Sequence, residues 1–161
     1  MKIPASFKAT LDDYKELWCD GYLAIEYFAN NTGAKTASSI VSLFGNEQAI
    51  QQLNGLGETR IAIHPQILHE IDEHERIPSL ICLLQNEMSM YSSQKYSNED
   101  LEKIATEFLK DFDSPHTFVN FHFDGNFSSL SWSPLVGHTV ELFFCAIDDK
   151  HMGCLLYMDD N

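Results

Sequence analysis

The sequence predicts an α+β domain, with N-terminal helices packed on a C-terminal four-stranded antiparallel meander. Two observations carry this expectation. Apolar residues recur at three- and four-residue steps over the first two thirds of the chain, then at every second residue from Ser114-Pro115 onward. Turn residues at Asp124-Gly125, Pro134 with Gly137, and Asp148-Asp149-Lys150 cut the last third into four short apolar runs. No repeat, low-complexity tract or linker divides the 161 residues, so one domain over residues 1–161 is expected.

The elements follow in order. Thr10 with Asp13 reads as a capping box, and Tyr14, Leu17, Trp18, Tyr22, Ile25 and Phe28 form the stripe of an amphipathic helix. Asn30, Asn31 and Gly33 end it. A short helix with Ala37, Ile40, Val41 and Phe44 inward stops at Gly45, and another is expected from Glu47 to Leu53. Thr59 to Ile63 reads as a short strand. Pro65 then suits the first position of a helix with Ile67, Leu68 and Ile71 on its inner face, restarted at Pro78 and continued by Leu80, Ile81, Leu83, Leu84 and Met88. Ser97 and Asp100 make a second capping box. It opens a helix striped by Leu101, Ile104, Ala105, Phe108 and Phe112.

The expected strands are Thr117–Asp124, Phe127–Ser133, Thr139–Ile147 and Met152–Met158. Val119, Phe121 and Phe123 alternate with Phe118, Asn120 and His122 in the first. The run Phe143-Phe144-Cys145-Ala146-Ile147 marks the third as central and covered on both faces.

Ten Lys and Arg stand against 24 Asp and Glu, a formal net charge of −14. Such a field repels nucleic acid and anionic membranes and attracts basic surfaces. Residues 61–116 carry four basic and eleven acidic side chains, and residues 117–161 carry one and six. The negative field therefore belongs to the segments around Glu70–Glu75, Glu99–Asp113 and the C-terminal hairpin. With 44% hydrophobic residues, this acidity is displayed on a folded surface. No apolar run reaches the roughly 20 residues of a membrane span, and the N-terminus lacks a secretory pattern, so a cytoplasmic location is expected. Cys19, Cys82, Cys145 and Cys154 form no C-x-x-C pair and read as buried thiols. A disulfide between Cys145 and Cys154 across a turn is disfavoured in a reducing compartment.

Motifs for chemistry are weak. There is no nucleophile elbow, P-loop or dinucleotide fingerprint. His64, His69 and His74 lie five residues apart. On a helix, five residues turn a side chain through about 140°, so these histidines cannot converge on one ion. No metal and no cofactor are expected. His116, His122, His138 and His151 fall in or near the sheet, where the register decides whether any two meet.

The last third also carries a pattern: Phe121-His-Phe123-Asp124-Gly125, Leu130-Ser-Trp132-Ser-Pro134-Leu135, His138-Thr139-Val140, Gly153-Cys-Leu-Leu-Tyr157 and Asp159-Asp160. Over roughly residues 115–161 it resembles the C-terminal sheet of small bacterial immunity proteins of polymorphic toxin systems, those of contact-dependent growth inhibition or type VI secretion. The resemblance implies a cytosolic, non-enzymatic protein that binds and neutralises one cognate toxin domain. It transfers no functional residues, because each such protein fits its own toxin. Many of these toxins are nucleases with basic clefts, which an acidic surface can occupy. Candidate toxin contacts, from charge, are Asp72, Glu73, Glu75, Asp148, Asp149, Asp159 and Asp160. Two alternatives remain open. One is a small hydrolase or metal-dependent enzyme that gathers His69, His122 or His138 beside an acid in a pocket. The other is an adaptor that binds peptides at a sheet edge.

Overall fold

The computed structural model describes residues 3–14, 22–46, 49–52, 58–60, 63–85, 96–125, 129–135 and 140–159. The α+β class holds. Helices α1 (Ala5–Asp13), α2 (Ala37–Asn46), α3 (Glu73–Leu84) and α4 (Asn98–Lys110) pack on a sheet larger than the expected meander. Strands β1 (Tyr22–Ala29), β2 (Ala49–Gln52), β3 (Glu58–Arg60), β4 (His69–Ile71), β5 (His116–Val119), β8 (Val140–Ile147) and β9 (His151–Asp159) form one seven-stranded sheet in the order β3-β2-β1-β9-β8-β5-β4. Strands β6 (Phe121–His122) and β7 (Ser131–Trp132) form a separate two-stranded ribbon. Every described pairing is antiparallel.

Three helical expectations are corrected. Residues 22–29 form β1 rather than the second half of a long helix. Leu23, Ile25 and Tyr27 enter one core while Ala24 and Phe28 enter the other, so the segment is apolar on both sides. A strand buried on both faces has no clear period, and its apolar residues also fit a helical stripe. Residues 49–52 form β2, paired with β1 through Ala24↔Gln52 and Ile25↔Gln51, because β1 offers a free edge there. Pro65–Ile67 is one turn of 3-10 helix, followed by β4. Leu68 and Ile71 point into opposite cores, which a strand allows and a single helical face does not.

Other expectations stand. Helix α4 opens on its capping box: the Asp100 N–H donates to Ser97 Oγ at 3.2 Å, and the Ser97 N–H donates to Asp100 Oδ2 at 3.3 Å. One does not: the helix expected from Pro65 and restarted at Pro78 instead starts at Glu73 and runs through Pro78 without a break. Strand β8 is central, with residues 141–148 all buried. The turn at 148–150 joins it to β9. Cys145 faces Cys154 in the ladder, both fully buried free thiols.

Helices cover both faces of the sheet. On one face α1, α3 and α4 close over Leu142, Phe144, Leu155 and Tyr157. On the other, α2 and the residues around Ile63 and Leu68 close over Phe143, Cys145, Leu156 and Met158. Gly153 lets this packing close: a Cβ there would stand 2.7 Å from Phe112 Cζ and 2.8 Å from Tyr27 Cε1.

Candidate functional site

The structure divides the seven acidic candidates by position. Asp72 and Glu73 are exposed at the start of α3, with Asp72 at its N-cap. Glu75, also exposed, accepts a hydrogen bond from the Asp72 N–H at 3.3 Å. The register places Ile71 beside Thr117 and Thr117 beside Ala146. The start of α3 and the β8–β9 turn therefore lie at the same end of the sheet, two strands or about 10 Å apart. Asp149, in that turn, is exposed and pairs with Lys35 Nζ at 2.7 Å. Asp159 pairs with Val140 at the opposite end of β8 and β9. Asp160 lies outside the described residues.

Asp148 faces inward and is not a surface contact. It is 3% exposed, and its carboxylate accepts from the backbone N–H groups of Lys150 and His151 at 2.9 Å each and Asp113 at 3.0 Å. His151 Nδ1 lies 3.1 Å away. Burial alone would raise its pKa. The hydrogen bonds from Asp113, His151 and Lys150, with the nearby His151, outweigh burial and hold the carboxyl below the ordinary aspartate value. Asp148 is the fastener of the turn.

The concave site lies beside the α3 acids. A cleft of about 270 Å³ is lined by His69 of β4, Glu75 and Ser79 of α3, His122 of β6 and Asp124 and Ser129 of the β6–β7 connection, with Ile71, Phe121 and Phe123 as its apolar part. Its shape depends on Asn120, which is 2% exposed between β5 and β6. Asn120 Nδ2 donates to the carbonyls of Ser133 (2.8 Å) and Glu141 (3.0 Å), and its Oδ1 accepts from the Phe143 N–H (2.7 Å). The side chain thus ends the main ladder without orphaning buried backbone groups, and the chain leaves β5 to pair with β7 instead.

That departure brings His122 over His69. The two imidazoles stack with centroids 4.2 Å apart and planes 8° from parallel. Burial lowers the His69 pKa, the neighbouring His122 lowers it further, and Glu75 opposes both. The first imidazole is therefore neutral near pH 7. Ser129 Oγ donates to Asp124 Oδ1 at the rim.

The other histidines disperse. His64 and His74 are exposed, and His116 Nδ1 lies 2.9 Å from Glu70 Oε2. His138 lies outside the described residues. The 64–74 segment is not one helix, so the 140° argument does not apply to it, yet its three histidines still do not gather. Among the described residues no group of three His, Cys, Asp or Glu side chains is placed to hold a metal ion. Near-parallel rings also set their nitrogens side by side rather than convergent. Among the same residues no helix is long and apolar enough to cross a membrane.

The His69–His122 pairing depends on a break at Asn120, and the only sequence sign of it is an asparagine inside an apolar run. No protein-family model, curated protein or solved structure matches the chain.

Proposed function

We propose that this protein acts as an immunity-type inhibitor, binding one basic toxin domain through the acidic corner where α3 begins. The observation that supports this reading is the concentration of exposed Asp72, Glu73 and Glu75 at the start of α3, with Glu75 lining a concave site, on a chain of net charge −14. Acids on a rim speed encounter with a basic partner, and a few anchors in the adjoining cleft hold it. Asp149 contributes less to the field because Lys35 neutralises it locally. The protein performs no chemistry on the toxin; it occupies the cleft that would grip phosphate.

The test is capture from lysate of the source cell at low and moderate salt, with mass spectrometry of the eluate. One dominant basic partner is expected. A triple variant, Asp72→Lys with Glu73→Lys and Glu75→Lys, should slow its association at low salt by about tenfold or more. Association insensitive to the triple variant, or no dominant partner, overturns the reading.

The stacked His69–His122 pair beside Glu75, Asp124 and Ser129 favours a second reading, a small acid–base hydrolase with neutral His69 as the base. Turnover of ester or phosphodiester substrates that disappears in His69→Gln would support it. The peptide-adaptor reading has less to stand on: the sheet's described edges, β3 and β4, are three residues each.

A further inference from the structure

The cleft combines three surfaces that one kind of side chain can satisfy together. Its wall is the His69–His122 stack, and His122 is exposed, so one more planar group can extend the stack. Carboxylates reach it from two independent elements, Glu75 of α3 and Asp124 of the β6–β7 connection. Ile71 and Phe121, both buried, and half-buried Phe123 supply apolar surface for a methylene stem.

A planar cation on an aliphatic stem fits all three. A guanidinium stacks on an aromatic face and presents paired N–H donors to carboxylates. An ammonium can use the charge but not the plane. Anionic ligands meet two carboxylates, and a metal ion meets parallel rings that do not converge on it.

We propose that the cleft is an arginine-anchoring pocket, receiving one arginine side chain of a basic protein partner. It rests on the inhibitor reading and specifies that reading's anchor. The groups facing His69 are Glu75 from α3, His122 from β6 and Asp124 from the connection after β6. With His69 held neutral by burial and by His122, the platform attracts a guanidinium near neutral pH. Protonation of His69 turns it into a cation that repels one.

The test uses the full chain and N-acetyl-arginine amide, followed through the imidazole resonances of His69 and His122. Saturable shifts at these two residues are expected, with a dissociation constant on the order of 1 mM at pH 7.5. N-acetyl-lysine amide should bind about fivefold more weakly, and the citrulline analogue, isosteric but uncharged, should not saturate. Binding should weaken as the pH is lowered far enough to protonate His69. Glu75→Gln, which can still accept the Asp72 N–H, should weaken arginine about threefold to fivefold; Glu99→Gln on α4, outside the cleft, should leave it unchanged. Equal binding of citrulline, shifts elsewhere on the protein, or indifference to Glu75→Gln overturns the pocket. If the pocket fails while capture of a basic partner still depends on Asp72, Glu73 and Glu75, the inhibitor reading stands without this anchor; if both fail, both fall.

Discussion

The centre of the sheet and its β4–β6–β7 corner are built on opposite rules. In β1, β9 and β8 the ladder runs through eight residue pairs on each side of β9, and the side chains from Leu142 to Ile147 are fully buried. At the corner the ladder stops after four pairs between β5 and β8, an asparagine side chain replaces backbone partners, and two histidines face a cleft. The centre specifies itself by volume, the corner by hydrogen bonds. The difference teaches where function can reside: a rigid apolar slab positions a small polar site at its border, where ordering the polar groups does not disturb the core.

That contrast can be broken at either end. The largest effect should come from volume lost at the centre. Phe144→Ala is expected to cost about 3–5 kcal/mol, read from urea unfolding. A cost below ~1 kcal/mol would mean the slab is loosely packed.

Asn120→Ala should cost about 2–3 kcal/mol, because it leaves the Phe143 N–H and the Ser133 and Glu141 carbonyls without their partner. Its signature is local. Amide exchange should rise in residues 120–133 while β9 stays protected, and uniform loss of protection would erase the distinction between the two regions.

Asp148→Asn sharpens the comparison through pH. Because the folded carboxyl has a lowered pKa, its contribution is complete above the unfolded aspartate value of about 3.9 and is lost as pH falls through the folded value. The variant should cost about 1–2 kcal/mol at pH 7 and converge on the parent as pH falls below the folded value. A cost that persists undiminished in acid would assign Asp148 a role other than that of an ionised acceptor.

The smallest effect is expected inside the slab. Tyr27 is 1% exposed, and its hydroxyl has no hydrogen-bond partner among the described residues. Burial raises its pKa, with Asp111 and Cys154 adding to the rise. Tyr27→Phe removes an unsatisfied oxygen and keeps the ring against Phe108 and Phe112, so stability should be unchanged or higher by about 1 kcal/mol. A loss would reveal a partner for the hydroxyl.

Where local chemistry decides structure, the sequence was readable. Ser97 with Asp100 announces α4, the apolar run 143–147 announces a central strand, and Gly125, at φ +99°, takes the turn conformation that Asp-Gly signals. Strands β1, β2 and β4 were not readable, because each is decided by a partner distant in sequence. Tyr22–Ala29 becomes a strand by lying against His151–Asp159, and its own residues fit a helical stripe equally well. The acidic start of α3 was legible as charge. The inward turn of Asp148 was not, since Asp-Asp-Lys reads the same whether its first carboxylate faces water or the backbone. The histidine cleft required both a register and the break at Asn120, neither of which composition encodes.

The pairing of β1 with β9 has a consequence for how the chain is made. The two strands are joined in eight pairs, yet more than a hundred residues separate them along the chain. During vectorial synthesis β1 emerges early and must wait, with an apolar segment and an open edge, until β9 clears the ribosome. Neither core can close before then, since Leu155 and Tyr157 belong to one and Met152, Cys154, Leu156 and Met158 to the other. Until then the nascent chain exposes an apolar segment and an unpaired strand edge, and truncation within residues 151–159 takes side chains out of both layers at once.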